Sequence, residues 1–296
     1  MVATAELIKP SDFKGGKPTW CPGCGDYGLQ SAMRKALANL GYSPNEVVII
    51  SGIGCSGNFP HFQSTYGFHS THGRALPLAT GVALSNPDVK VIAVGGDGDG
   101  YGIGVGHFIH TARRNLDITY AVMDNQIYGL TLGQASPTSQ MKAITLTTPK
   151  GVDERPINPI SLAIGAGASF VARGFSGEGS HLEKLLEKAI EHKGFSLVDT
   201  LSPCVTFNRL NTYDWFRDRV YFLEDEEGYD SKDLSAAFKK SLEWNEKIPL
   251  GVIFEDEGAS LQDLDRTVSK GKVLVNEPLP IDPNVTDMKR IFNEFR

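Results

Sequence analysis

The chain has 296 residues, 41% of them hydrophobic and 22% charged, the balance of a globular protein rather than of a disordered or membrane-spanning one. Its formal net charge of −6 argues against a nucleic-acid surface, which needs a basic face to neutralise phosphate. Apolar stretches break at Gly, Asp or Asn short of the ~20 residues of a membrane span, and residues 1–20 lack a basic-then-apolar leader pattern. The expectation is a cytoplasmic protein with no membrane partner.

Residues 25–40 predict a helix, opened by a tight Cys-Pro-Gly-Cys-Gly turn and closed by Gly41. Residues 46–51 are a short, β-branched apolar run, the mark of a strand buried on both faces. A helix rich in small residues follows at 74–86, stopped by Asn86-Pro87, then a buried strand at 89–95. A helix at 102–114 and a strand at 118–123 come next. Residues 129–157 are rich in Gly, Ser, Thr and Pro without periodicity, which predicts a long functional or mobile loop. Helix 158–166, strand 169–172, helix 179–193 and strand 195–200 complete the alternation. Such alternation predicts an α/β fold: a doubly wound, mostly parallel sheet with helices on both faces. Beyond Cys204 the pattern weakens to one amphipathic helix at 231–246 and an extended tail over the last forty or so residues. The expected organisation is a domain at 1–204 and a C-terminal extension at 205–296, packed on that domain or on a partner subunit. The acidic run from Leu223 to Asp230 reads as a solvated loop.

The most informative stretch is Gly96-Asp97-Gly98-Asp99, between a buried strand and a helix. Ligands of open α/β sheets bind at the carboxyl ends of strands, and glycines let backbone approach a phosphate there. A carboxylate beside a diphosphate is repulsive unless a divalent cation sits between them, and magnesium takes such oxygen ligands. About 28 residues on, roughly one βα crossover and a strand, the next strand end reads Asp124-Asn125-Gln126-Ile127. Asp97 and Asn125 are therefore expected side by side at one sheet edge. The pattern resembles the diphosphate-binding motif of thiamine diphosphate enzymes, and the resemblance implies Mg2+ held by Asp97, Asn125 and the carbonyl of Ile127. A Rossmann dinucleotide site fits less well, because the glycine spacing is wrong and Asp97 would meet a pyrophosphate without a metal.

Four cysteines, Cys21, Cys24, Cys55 and Cys204, follow strand ends or open the first helix. A thioredoxin-type pair would use only Cys21 and Cys24. Four-thiolate zinc prefers two close pairs, whereas a [4Fe–4S] cluster accepts irregular spacing. Spacing alone leaves zinc and a cluster open. A neighbouring thiamine site favours the cluster, because redox chemistry after decarboxylation needs an electron acceptor.

Together, Trp20-Cys-Pro-Gly-Cys-Gly25, Gly52-Ile-Gly-Cys-Ser-Gly57, Thr71-His-Gly-Arg74, Gly96-Asp-Gly-Asp-Gly100 and Asp124-Asn-Gln-Ile-Tyr-Gly-Leu130 resemble the β subunits of two-subunit 2-oxoacid:ferredoxin oxidoreductases over about residues 15–210. The resemblance implies Cys21, Cys24, Cys55 and Cys204 as ligands of a [4Fe–4S] cluster. It implies Ile53, Gly54, Cys55, Ser56 and His72 on one side of thiamine diphosphate, with Gly98, Asp99, Gly129 and Leu130 on the phosphate side. Arg74 is a candidate for a phosphate or substrate carboxylate, or else a surface salt bridge. Asn58 and Leu132 are candidate specificity positions. Leu132 stands where such families often carry Lys, a departure at a position that could meet a substrate carboxylate.

The implied reaction is coenzyme A-dependent oxidative decarboxylation of a 2-oxoacid, with 2-oxoglutarate slightly favoured over pyruvate, or the reverse carboxylation, with ferredoxin carrying the electrons. The implied partners are an α (or fused γα) subunit, in an (αβ)2 heterotetramer, and ferredoxin. This chain shows no convincing glutamate to activate the aminopyrimidine, so the α subunit is expected to supply it. The alternatives are a non-redox thiamine diphosphate decarboxylase or synthase, which needs no cysteines, and a metal-binding scaffold on a degenerate thiamine fold.

Overall fold

Eight strands form one sheet in the order β2-β1-β3-β4-β6-β5-β8-β7. The structure, a computed structural model, describes residues 7–264 and 273–276. The strands are β1 (Val47–Ser51), β2 (Tyr66–His69), β3 (Lys90–Gly96), β4 (Ile118–Asp124), β5 (Phe170–Phe175), β6 (Phe195–Leu201), β7 (Val220–Phe222) and β8 (Ile248–Glu255). The pairings among β1 to β6 are all parallel. Strand β8 runs antiparallel to β5, and β7 lies parallel to β8.

Strand residues alternate between faces, so the buried strands feed two separate cores. Ile49, Val94, Ala121 and Met123 pack with Leu29, Met33 and Leu37 of α1 (Asp26–Asn39) and Leu182, Leu186 and Ile190 of α5 (Gly179–Glu191). Ile50, Ala93, Tyr120 and Val122 pack on the other face with α2 (Ala75–Ser85), α3 (Val105–Arg114) and α4 (Pro159–Ala166). Helix α2 lies so close because its core face is Ala75, Ala79 and Ala83. The short α6 (Tyr213–Arg217) is capped by the Thr212 hydroxyl, and α7 (Leu234–Ser241) by Asp233, whose carboxylate accepts from Ser235 and Ala236 N–H.

The expected doubly wound sheet is present, and residues 129–157 are a loop without helix or strand. Four expectations change. The helix foreseen at 102–114 begins only at Val105, because Gly98–Ile103 forms a wide π-type turn broken at Gly102. The helix foreseen at 231–246 shortens to α7. The chain after Cys204 adds two strands to the main sheet rather than running on as a weak pattern. Strand β8 was hidden by Pro249 and Gly251, residues that argue against a strand interior. Pro249 lies where β8 pairs only with β7, and Gly251 takes φ +134 beside the bulge against β5. The acidic run is likewise partly built in: Leu223 is buried, and Glu226 accepts from Lys240 Nζ at 2.9 Å. Most of the expected extended tail lies outside the described residues.

Candidate active site at the sheet switch point

From β1 the chain moves outward to β2, then crosses back to place β3 on the other side of β1 and continues outward to β4. The loops leaving β1 and β3 therefore part in opposite directions, and a crevice opens at their carboxyl ends. That crevice is a cavity lined on one side by Ile53, Gly54, Cys55 and Ser56 and on the other by Gly96, Asp97, Gly98 and Asp99, with Asn125, Ile127, Gly129 and Leu130 contributed from the end of β4.

Strands β3 and β4 are adjacent, with Gly96 opposite Met123, so Asp97 and Asn125 stand on neighbouring strand tips. Asp97 is buried, and burial pushes its carboxyl up, opposed by hydroxyl donors from Ser136 and Thr138. A cation at this place relieves the same desolvation cost. Asn125 Oδ1 accepts from Ile127 N–H at 3.1 Å, which closes a tight turn; at the next residue, Gln126 takes φ +59. The buried Ser56 hydroxyl, which lines the cavity, has no hydrogen-bond partner among the described residues. A buried polar atom without a partner fits a ligand oxygen placed there. The donor set and this orphaned hydroxyl fit a magnesium diphosphate.

Asp99 has a different task from its neighbour. Its Oδ1 accepts from Ile53 N–H at 2.9 Å, Gly73 N–H at 2.7 Å and the His72 Nδ1 at 2.8 Å, and so ties the β1 loop to the turn before α2. A β-carbon at Gly52 would fall 1.8 Å from Asp99 Oδ2, which makes glycine necessary there. With Nδ1 donating to Asp99, a neutral His72 presents only an Nε2 lone pair to the cavity, so donation to a phosphate requires the charged ring. Arg74 is exposed at the start of α2, donates to the Gly73 carbonyl at 3.2 Å and lies outside the lining of this cavity.

A second cavity, of about 280 Å³, adjoins the first. Cys21, Cys24, Cys55 and Cys204 all line it, with Trp20, Asn58, Leu130, Leu132 and Phe207, and no charged side chain lines it among the described residues. All four cysteines are free thiols. The C-x-x-C turn is stitched to both other cysteine segments: Trp20 Nε1 donates to the Cys55 carbonyl at 2.7 Å, and Gly25 N–H donates to the Pro203 carbonyl at 3.1 Å. A β-carbon at Gly129 would lie 3.6 Å from the sulfurs of both Cys55 and Cys204, so those thiols converge on one point. Burial pushes the Cys55 thiol up to about 12, with Asp26 adding to the effect, and pushes the Cys24 thiol higher still. Among the described residues, no group of three or more His, Cys, Asp or Glu side chains is poised on a single metal ion. The magnesium donors foreseen include only one acid. A four-iron cluster, for its part, needs thiolates spread around a cubane rather than gathered on one atom.

The two cavities share Cys55, Asn125, Gly129 and Leu130. Asn58 and Leu132 line the cysteine side, and Leu130 and Leu132 are 54% and 62% exposed at its mouth. No glutamate lines either cavity among the described residues.

Sequence reasoning missed the residues that hold this edge together. Thr138 Oγ1 lies 2.7 Å from Asp97 Oδ2 and 2.9 Å from Asp124 Oδ1, and the Ser139 hydroxyl donates to the Gln126 carbonyl at 2.6 Å. Tyr128 lies against Gly98, donating to its carbonyl at 3.0 Å. Asn208 Nδ2 donates to the Asn125 carbonyl at 3.0 Å. The Ser/Thr-rich composition of the 129–157 loop was the only trace of the first two.

A family model described as the C-terminal TPP-binding domain of thiamine pyrophosphate enzymes matches residues 52–200, which include the whole switch-point crevice. A second, described as the C-terminal part of the pyruvate ferredoxin oxidoreductase beta subunit, matches residues 204–269. The chain is 45% identical over 294 residues to the 2-oxoacid:ferredoxin oxidoreductase subunit beta of Saccharolobus solfataricus, covering 94% of this chain and 96% of that one. It is 47% identical over 206 residues to the 2-oxoglutarate oxidoreductase subunit KorB of Mycobacterium tuberculosis, covering 69% of this chain and 55% of that one. A solved 2-oxoglutarate:ferredoxin oxidoreductase from Magnetococcus marinus, with 2-oxoglutarate, coenzyme A and succinyl-CoA bound, superposes with a TM-score of 0.88 at 38% identity, covering 99% of this chain and 98% of that one. A thiamine-type crevice walled against a four-cysteine cavity, on a chain matched almost end to end, places this protein in the family of 2-oxoacid:ferredoxin oxidoreductase β subunits.

Proposed function

We propose that the switch-point cavity holds thiamine diphosphate with Mg2+, that the cysteine cavity holds a [4Fe–4S] cluster, and that the chain acts in the cytoplasm on 2-oxoglutarate within an (αβ)2 heterotetramer. The observation that carries this reading is the wall the two cavities share, formed by Cys55, Asn125, Gly129 and Leu130. The bound cofactor supplies an electron sink for loss of CO2 from a 2-oxoacid, and the cluster a one-electron acceptor.

The chain's own residues supply placement. The side chains of Asp97 and Asn125 and the carbonyl of Ile127 would hold the magnesium, and the Ser56 hydroxyl and nearby loop amides would donate to the diphosphate. Asp99 holds the β1 loop and the His72 turn together, so this cradle is set before a ligand arrives. Ile53 and Leu130, both exposed at the rim, give the reacting end a low-polarity surround that favours loss of a carboxylate's charge. With no glutamate at the cavity among the described residues, the group that activates the aminopyrimidine comes from the α or fused γα subunit. The same partner would cover those exposed apolar residues. Coenzyme A takes the acyl group, and ferredoxin carries the electrons onward, in the oxidative or the reverse direction.

The choice of 2-oxoglutarate is supported by the names of the Mycobacterium and Magnetococcus relatives. The test is anaerobic co-purification with the α subunit, followed by turnover against a panel of 2-oxoacids with coenzyme A and ferredoxin. A brown complex with acid-labile sulfide and a higher kcat/KM for 2-oxoglutarate than for pyruvate is expected, with no turnover by this chain alone. A colourless active complex would remove the cluster, and a preference for pyruvate would remove the substrate assignment.

A further inference from the structure

Asn208 is almost fully buried, and its side chain bridges the two halves of the site. It lies four residues beyond Cys204, and its backbone N–H donates to the Cys204 carbonyl at 3.1 Å, closing a turn that returns it toward the sheet edge. Its Oδ1 accepts from Leu210 N–H at 3.0 Å and Asn211 N–H at 2.9 Å. Two backbone donors on one atom identify that atom as the oxygen, so the amide orientation is set by chemistry. The amide nitrogen then faces the Asn125 carbonyl at 3.0 Å. Asn125 is the magnesium ligand expected at the tip of β4, and Cys204 the cluster ligand beyond the tip of β6. One side chain thus hydrogen-bonds the cofactor turn while its own backbone belongs to the cysteine segment.

We infer that Asn208 is a positioning residue that locks the Cys204 segment to the Asn125 turn, so that occupancy of the diphosphate site and the geometry of the cluster are mechanically linked. The inference rests on the reading of the two cavities given above. The same parts close around Gly129, where an added β-carbon would lie 3.6 Å from Cys204 Sγ and 4.0 Å from Asn125 Nδ2. Without the Asn208 donor the Asn125 carbonyl loses a buried partner, and the nearest remaining tie between the two segments is the Ser202 N–H bond to the Asp124 carbonyl at 2.9 Å, one residue short of the Asn125 turn.

The test uses the αβ complex purified anaerobically. N208D keeps both accepted bonds and sets a carboxylate oxygen against the Asn125 carbonyl, breaking the cross-link together with the longer Nδ2 contact to Asn211 Oδ1 at 3.4 Å. The expected result is wild-type iron content with a dissociation constant for thiamine diphosphate raised about tenfold or more. The reduced cluster's electron paramagnetic resonance spectrum shifts when thiamine diphosphate and Mg2+ are added to wild type, and it does not shift in N208D. Wild-type affinity and a preserved spectral shift in N208D, or no shift in wild type, overturn the inference. If N208D does not fold, hydrogen exchange on the wild-type complex decides: adding thiamine diphosphate and Mg2+ slows exchange at the amides of residues 208–211, and unchanged exchange overturns the inference. A wild-type complex lacking iron or failing to bind thiamine diphosphate refutes the cavity reading itself, a result distinct from either.

Discussion

Replacing Gly129 with alanine separates stability of the fold from cluster assembly. Gly129 is not in the left-handed region, so alanine adopts its backbone without strain. The added methyl would lie 3.6 Å from Cys55 Sγ and 3.6 Å from Cys204 Sγ, ordinary van der Waals contact in the cluster-free chain. The fold is thus expected to change by less than about 0.5 kcal/mol, or to gain up to ~1 kcal/mol from the reduced freedom of the unfolded chain. The same methyl would lie 3.6 Å from two of the four thiols, at the place the proposed cubane would fill. Iron and acid-labile sulfide, about four of each per chain when the cluster is full, should fall below about one in G129A. The assay is colorimetric iron and sulfide on protein reconstituted anaerobically, with thermal unfolding of the cluster-free form measured in parallel. Full iron content in G129A would place the cluster elsewhere. A large loss of stability would show instead that the glycine is needed by the backbone.

D97A removes the acid proposed to hold magnesium. Wild-type protein saturated to about a hundred times its dissociation constant gains roughly 2.7 kcal/mol from ligand binding, whereas D97A should show no rise in melting temperature on adding thiamine diphosphate and Mg2+. D99A strands the Ile53 and Gly73 amide donors, at about 1–3 kcal/mol for each that stays buried, and chemical denaturation should report the loss even without cofactor. Cluster assembly should also release protons. With the Cys55 thiol pushed up to about 12 by burial and Cys24 higher, these thiols are neutral at pH 7–9 and must deprotonate to bind iron. Apparent affinity for the cluster therefore rises with pH throughout that window, by about tenfold per unit for each proton released. A pH-independent affinity, followed by iron competition with a chelator, would contradict it.

Local pattern determined much of this protein. Continuous apolar runs named β1, β3 and β4 before any fold was known, because a strand buried on both faces must be apolar throughout. The step from Asp97 to Asn125 matched one crossover, and the tips they occupy are neighbours. The four cysteines, scattered along the chain, do line one cavity. Composition also marked residues 129–157 as a long loop. It left unread that Thr138 and Ser139 clamp the loop onto the Asp97 and Gln126 backbone and side-chain acceptors, since hydroxyl contacts across a sheet edge leave no periodic trace.

Tertiary structure alone decided three things. The edge strand β2, exposed along its whole length, is only four residues with Tyr66 and Phe68 broken by Gly67, and β8 carries a proline and a glycine that only its neighbours explain. Arg74, a plausible phosphate partner in sequence, donates to its own turn, while Asp99 spends its carboxylate on tying loops together. The crevice itself exists because β3 lies on the far side of β1 from β2, a choice of strand order. Side-chain alternation reports which face a residue takes, and nothing in it reports which strand lies alongside. Order comes from which long-range pairings bury the most surface at once, and that is settled only when the whole chain packs.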